Sequence, residues 1–427
     1  MNIETVTSAS GIVAWLVEER TVPLIALRFA FDGGSAQDPE GKAGVSSLVS
    51  QMLSQGAGEL NALAFQERAR DLTLRLGFHA GMDALIGSFT VLSESRDDAA
   101  HLLKLAITQP RFDLDTVARE RERLAISIAR AEKDPGAVAR ARWNALAFAG
   151  HVYARPIIGT EETLPKISTS DLDDYRRRVL AKDTLRVVAV GDITPDQLRK
   201  LLDDVFGSLP AAADFVPIGR AHPISTGSEA VVEMDVPEAA VAFGLDAVSQ
   251  HDPDYLPAFV LNHVLGGGGF SSRLMQEVRV KRGLSYSIST AIAPSRHASV
   301  LRGGFGTRND TVGVALDVVR TEFMRLAKGE IGQPELDAAK SYLIGSYPLG
   351  FDANTKIAAQ LLGLRLADYP SDFVDRRNAE LGAVTLEHVK DVARRLLDPD
   401  TLVVTVAGNP ELRSARQPAR APDVSAA

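Results

Sequence analysis

The sequence has 427 residues and no cysteine. That absence excludes disulfides, thiolate zinc sites and thiol nucleophiles together. It leaves the redox compartment open, because a cysteine-free chain suits cytoplasm and periplasm alike. Positive charge is not in excess either: 47 Lys and Arg stand against 55 Asp and Glu, for a net charge of −8. Such a chain has few spare cations to neutralise a run of phosphates, which argues against nucleic acid as a partner. Nowhere do about 18 apolar residues run uninterrupted, so no membrane span is expected. The first eight residues lack a basic stretch followed by an apolar one, so no secretory signal is visible. The expected location is cytoplasmic, or periplasmic if a signal peptide has been removed.

Catalytic devices are missing as well. No Gly-x-Ser-x-Gly occurs, and Gly267-Gly268-Gly269-Phe270-Ser271 has no serine at the elbow position, which speaks against a serine hydrolase. The Gly266–Gly269 run lacks the Lys-Ser/Thr of a phosphate loop and the third glycine of a dinucleotide fingerprint. The eight histidines, at 79, 101, 151, 222, 251, 263, 297 and 388, are scattered. A zinc peptidase helix needs two of them one turn apart, so that both nitrogens reach one ion. His263, on an apolar helical stretch, reads as a satisfied core histidine.

What is present is a large soluble chain, 45% hydrophobic and 24% charged, long enough for two to four domains. Two of its segments look like copies. Asp183-Thr184-Leu185-Arg186-Val187-Val188-Ala189-Val190-Gly191-Asp192 and Asp400-Thr401-Leu402-Val403-Val404-Thr405-Val406-Ala407-Gly408-Asn409 are each a β-branched run closed by glycine and a turn former, the pattern of a buried strand. Each follows an amphipathic helix, 172–180 or 389–397, ending in an arginine pair. The constant spacing of helix and strand points to an internal duplication of roughly 200 residues per copy. The proline-bearing stretch 208–223 reads as the linker, giving an N-terminal domain 1–212 and a C-terminal domain 222–427. The Arg-, Pro- and Ala-rich tail 413–427 is expected to fray.

Within each half, strands precede helices, a hairpin, long helices and a final strand. The first half predicts a strand over 22–31, a helix over 43–55, a hairpin over 78–92 and a helical region over 116–149, broken near Asp134-Pro135-Gly136. The second predicts strands over 230–245, helices over 255–265 and 271–282, strands over 284–305, and helices over 311–328 and 334–346. This is an α+β arrangement: two homologous domains, each a mostly antiparallel sheet covered by helices.

Several windows together resemble the pitrilysin/insulinase superfamily of zinc peptidases, in the branch that holds bacterial proteins and mitochondrial processing peptidases. They are Gly33-Gly34-Ser35-Ala36-Gln37-Asp38-Pro39, the helix from Gly44 to Gly56, Pro110-Arg111-Phe112 ahead of Glu120-Arg121, and Gly159-Thr160. The strongest is Leu265-Gly266-Gly267-Gly268-Gly269-Phe270-Ser271-Ser272-Arg273-Leu274. The similarity runs from Ile12 to Gly408. The family's metal motif is H-x-x-E-H plus a distal Glu. Aligned on Gly44 and Met52-Leu53, those positions fall at Ser47, Ser50 and Gln51, with the distal one at or next to Ser127. Ser and Gln are poor zinc ligands, and the glutamate that would act as general base is replaced too. The resemblance therefore implies a chain with no metal ligands, no cofactor and no catalytic residue of its own.

In the second half the resemblance is kept. Catalytic relatives hold substrate with an Arg and a Tyr seven residues apart, a spacing matched by Arg279 and Tyr286. A guanidinium offers fixed donors to a peptide carbonyl, and a phenol can donate to a developing oxyanion. On spacing alone, a surface arginine and a half-buried strand tyrosine would look the same. Gly266, Gly267, Gly268 and Gly269 read either as a loop approached by an extended peptide or as a hinge. The resemblance implies the non-metal subunit of a heterosubunit metallopeptidase. Its partner is a homologous chain bearing H-x-x-E-H and zinc, its substrates are peptides, and the two chains form a clamshell in which peptides add to a sheet edge. The rival reading is a peptidase-like scaffold with no proteolytic role.

Overall fold

The computed structural model describes residues 1–223 and 227–410; the tail 413–427, expected to fray, lies outside them. The described chain forms two compact units. Unit 1 is built from Met1–Ile128, Pro156–Ile218 and Tyr347–Arg376. Unit 2 is built from Ala129–Arg155, Gly219–Ser346 and the described chain from Arg377 onward. Neither is one continuous stretch, because each takes one segment from the other half of the sequence.

Unit 1 contains strands β1 (Glu4–Thr7), β2 (Val13–Glu18), β3 (Leu24–Asp32), β4 (Arg75–Ala80), β5 (Ala84–Leu92) and β6 (Leu185–Gly191), in the order β1-β2-β6-β3-β5-β4. Unit 2 contains β7 (Glu229–Glu233), β8 (Glu238–Asp246), β9 (Ile288–Pro294), β10 (Ser299–Arg308) and β11 (Val403–Gly408), in the order β7-β11-β8-β10-β9. Without β1 the two orders are the same. In each, the one parallel pair joins the first strand of the common order to the last strand of its half, β2 with β6 and β7 with β11. All other pairs are antiparallel. The mixed helix-and-sheet class expected from the sequence is the one observed.

Strand alternation divides β3 between two cores. Ile25, Leu27, Phe29 and Phe31 enter the main core beneath helices that include Val45–Met52 and Pro195–Phe206. Ala26 and Ala30 face the other way, where with Trp15, Val188 and Val190 they meet Ala358, Leu361 and Leu362 of the helix Asn354–Leu366. Those three positions are spaced i, i+3, i+4, one face of a helix.

Unit 2 is built likewise. Val241, Phe243 and Leu245 of β8 point into a core with the helices Tyr255–Asn262, Val312–Ala327 and Leu386–Leu396. On the opposite face lies the helix Pro135–Ala147. Asp134 starts it by accepting the Ala137 N–H, and Pro135 occupies its first turn, where no amide donor is needed. Trp143 Nε1 donates to Val403 O at 3.1 Å, and Thr405 Oγ1 donates to Ala139 O at 2.7 Å. Gly244 makes room for that indole, since a Cβ there would stand 2.7 Å from Trp143 Cζ2.

Candidate functional site

In unit 1 the helix Val45–Met52 carries the positions aligned with the metal motif. Its start is fixed by Asp38, which accepts the amides of Gly44 and Ser46, both at 2.8 Å. Ser47 and Ser50 are buried, and both hydroxyls are committed: Ser47 Oγ donates to Ile157 O and Ser50 Oγ to Ser47 O, each at 2.8 Å. Gln51 Oε1 accepts from Arg123 Nη2, and Arg123 also lies 2.7 Å from Glu120 Oε2. Ser127 is exposed and donates to Arg123 O at 3.0 Å. Among the described residues no group of three or more His, Asp or Glu is arranged to hold an ion. The residues present do not fit zinc. Two hydroxyls point at carbonyls, the amide oxygen is taken, and a guanidinium brings positive charge to the place where a cation would need negative charge.

In unit 2 the glycine-rich segment is more tightly built than a loop. The helix Tyr255–Asn262 continues into a π-helical turn, His263–Gly267, closed by the bond from Gly268 N to His263 O. Gly269–Ser271 is a short 3₁₀ turn and Met275–Val280 is again π-helical, with Lys281 N bonding Gln276 O. Such widened turns concentrate at functional sites. Gly266 packs against β9, where a Cβ would come within 2.5 Å of Thr290 Oγ1 and 2.9 Å of Thr290 N. Gly267 and Gly268 pack similarly on Asn262 and His263. Only Gly269 uses a left-handed backbone, at φ +57°, with open space around it. The four glycines expected as a loop or hinge are thus three close-packing positions and one turn.

This segment is anchored from below. Arg273 forks onto Glu335, with Nε to Oε1 at 2.8 Å and Nη2 to Oε2 at 2.7 Å, tying it to the helix Gln333–Ser346. Burial works to raise the Glu335 carboxyl, but the bonds from Arg273 outweigh it and hold the group below its ordinary range. His263 is buried and stacks on Tyr342 at 5.0 Å between ring centres; burial pushes its imidazole pKa down.

Arg279 and Tyr286 are brought into direct contact. The Arg279 guanidinium carbon lies 4.2 Å from the centre of the Tyr286 ring and 4.6 Å from that of Phe270. Tyr286 is 81% exposed and Phe270 61%. Tyr286 does not enter a strand as expected; it stands two residues before β9, an edge strand of its sheet. Glu277, the nearest acid in sequence, is occupied by Lys281 at 2.6 Å and by Arg282, and those two bonds hold its carboxyl below the ordinary range. Among the described residues no carboxylate pairs with Arg279. Two aromatic rings lie against it and leave its N–H groups without a carboxylate, which suits it to a neutral acceptor such as a peptide carbonyl. Phe270 was not singled out by sequence reasoning, although it stands inside the glycine-rich window.

Comparison with known proteins agrees with this architecture. Residues 15–161 match the family described as insulinase (peptidase family M16), and residues 166–343 match the peptidase M16 inactive domain. The chain belongs to the M16 family. A Helicobacter pylori protein described as a non-peptidase homolog, YmxG, is 26% identical over 404 residues, covering 92% of this chain and 90% of its own. A Bacillus subtilis protein described as an uncharacterized zinc protease, YmxG, is 23% identical over 411 residues, 95% of this chain and 98% of its own. Among solved structures, a Pseudomonas fluorescens peptidase M16 inactive domain superposes with a TM-score of 0.89 at 27% identity, covering 98% of this chain and all of that one. A Helicobacter pylori protease gives 0.86 at 18% identity, covering 95% and 99%. No helix among the described residues is long and apolar enough to cross a membrane.

Proposed function

We propose that this chain is the non-metal subunit of a two-chain M16 peptidase, inactive alone and completed by a homologous H-x-x-E-H subunit that holds zinc. The observation that carries the reading is the Arg279 guanidinium, in contact with the rings of Phe270 and Tyr286 and with no carboxylate partner among the described residues. In unit 1, by contrast, the matching metal positions are filled by residues whose side chains bond to backbone carbonyls and to Arg123. The name non-peptidase homolog, carried by the Helicobacter pylori relative, points the same way.

In this proposal the partner's zinc supplies the activated water. The residues of this chain bind and orient. Arg279 donates to a substrate carbonyl, Tyr286 donates to oxygen as negative charge develops on it, and the packed segment Gly266, Gly267, Gly268 and Gly269 keeps both in register with β9. A peptide adding along the open edge of β9 would pass Tyr286 first. The proposal includes descent from a duplication, with repeats at 1–212 and 222–427, supported by the shared strand order.

The test is reconstitution. The chain and an H-x-x-E-H homologue from the same genome are purified separately and mixed, and cleavage of a peptide library is followed. Activity that appears only in the mixture, together with a stable complex by light scattering, supports the proposal. A stable complex whose rate equals that of the zinc chain alone would make this chain a scaffold instead.

A further inference from the structure

The helix Pro135–Ala147 covers only part of the outer face of the unit 2 sheet. Beside it, over β8, β10 and β9, a cleft of about 740 Å³ opens, within the range of ligand sites, about 300–1,000 Å³. Alternation explains its shape. Val241, Phe243, Leu301 and Phe305 turn into the core, so their neighbours Ala242, Gly304, Gly306 and Ser289 turn outward and form the floor. A floor almost without side chains lets another backbone lie close to the sheet. Trp143 and Asn144 of the helix form one wall, and the indole is pinned by its bond to Val403 O.

Two cations stand in this cleft, Arg302 on β10 and Arg140 on the helix, and both are exposed. No Asp or Glu lines it, and among the described residues neither arginine has an ion-pair partner. Three other arginines of the same unit are paired, Arg320 with Glu229, Arg325 with Glu322 and Glu330, and Arg308 with Asp310. The two arginines put positive charge over a floor that carries no acid, so the cleft is complementary to an acid from outside. Two cations are too few for a nucleic acid, whose binding grows with the number of phosphates neutralised. They suit the fork geometry of a carboxylate.

We propose that this cleft binds an extended peptide segment through an acidic side chain, Glu or Asp. It shares no residue with the Arg279–Tyr286 stack and needs no zinc subunit, so it stands or falls separately from the function proposed above.

The experiment titrates the full chain alone with two blocked pentapeptides, Ala-Ala-Glu-Ala-Ala and Ala-Ala-Gln-Ala-Ala, by calorimetry at low and moderate salt. Trp143, one of two tryptophans in the chain, gives an optical readout in parallel. The Glu peptide is expected to bind about tenfold more tightly than the Gln peptide, as one charge-assisted contact supplies. Arg302→Gln and Arg140→Gln should each remove most of that difference while leaving the Gln peptide's affinity and the melting temperature unchanged. Gly306→Leu should weaken both peptides, since a side chain there enters open space, the nearest atom to its Cβ being Ala239 O at 3.9 Å. Equal affinity for the two peptides would overturn the proposal. So would folded Arg→Gln variants that keep the preference for Glu, or displacement of the Glu peptide by inorganic phosphate at lower concentration than the peptide itself.

Discussion

Arg279 rests its guanidinium on the ring of Tyr286, 4.2 Å from centre to carbon. The two residues therefore act as one object, and a change to either disturbs the other. Tyr286→Phe is the informative substitution because it keeps the ring under the arginine and removes only the hydroxyl. In the reconstituted pair it should lower kcat by about 10²–10³, the usual effect of deleting one oxyanion donor, with a smaller change in KM. Arg279→Ala should raise KM as well, because a ground-state carbonyl contact is lost. Steady-state cleavage rates decide this, and two variants that match wild type would remove both residues from the site.

Phe270 is the second ring against the same guanidinium. An exposed cation–π contact contributes about 0.5–1 kcal/mol, so Phe270→Ala should barely move the melting temperature. It should nevertheless free Arg279 to swing, raising KM several-fold with a lesser effect on kcat. Phe270→Tyr, which preserves the ring, should restore KM. A Phe270→Ala variant with wild-type KM would show that the stack does not position the arginine.

The wild-type chain should carry no stoichiometric zinc in elemental analysis. Rebuilding the motif as Ser47→His, Ser50→Glu, Gln51→His and Ser127→Glu should give weak binding only, because Arg123 would remain beside the new ligands. Adding Arg123→Ala should tighten zinc by at least about tenfold, on the order of the repulsion of two nearby charges in a polar setting. Competition with a chromogenic chelator measures it. If Arg123→Ala makes no difference, the guanidinium is not what opposes the ion.

Burial lowers the pKa of His263, and the direction of the pH effect follows. The unfolded chain takes up the proton near pH 6.5, while the folded chain resists until lower pH. Stability is therefore full above about 6.5 and declines as pH falls from there to the lower folded pKa. His263→Gln, which cannot titrate, should flatten urea midpoints between about pH 7 and 5. An undiminished slope in that variant would assign the loss to another group.

Gly266 admits no side chain without displacing Thr290, including its backbone nitrogen. Gly266→Ala should destabilise the chain by about 1–3 kcal/mol, the usual effect of overpacking, and should shift the stack that begins four residues later. Gly269→Ala meets no atoms but has a left-handed backbone, and its effect should be about 1 kcal/mol. Thermal melts separate the two, and equal losses would mean that packing against β9 does not set the cost at Gly266.

The features legible in the sequence were those carried by local pattern. The repeated runs ending at Gly191 and Gly408 became β6 and β11, each in its sheet next to the first strand of the common order, because β-branched runs read as buried strands wherever they occur. The hairpin around Gly81 and the break at Asp134-Pro135 also fell where turn and cap chemistry put them. Contacts set by the third dimension were not legible. Phe270 carries no periodic signal, and it matters only because the fold brings Arg279, nine residues on, over its ring. The tight packing of Gly266 depends on Thr290, in a later strand, so the sequence offered a peptide-facing loop or a hinge and not this contact with β9. The helix Asn354–Leu366 went unassigned, since three small or apolar contacts, Ala358, Leu361 and Leu362, stand among residues that read as ordinary.

That helix has a consequence for how the protein is made. Unit 1 has all its strands once synthesis reaches Gly191, yet one face of its sheet is not covered until Asn354–Leu366 leaves the ribosome. At about 5–20 residues per second, the apolar surface around Trp15, Ala26 and Val188 waits on the order of ten seconds for its cover. The nascent chain is at its stickiest in that interval, and a chaperone that binds exposed apolar sheet faces would find its target there.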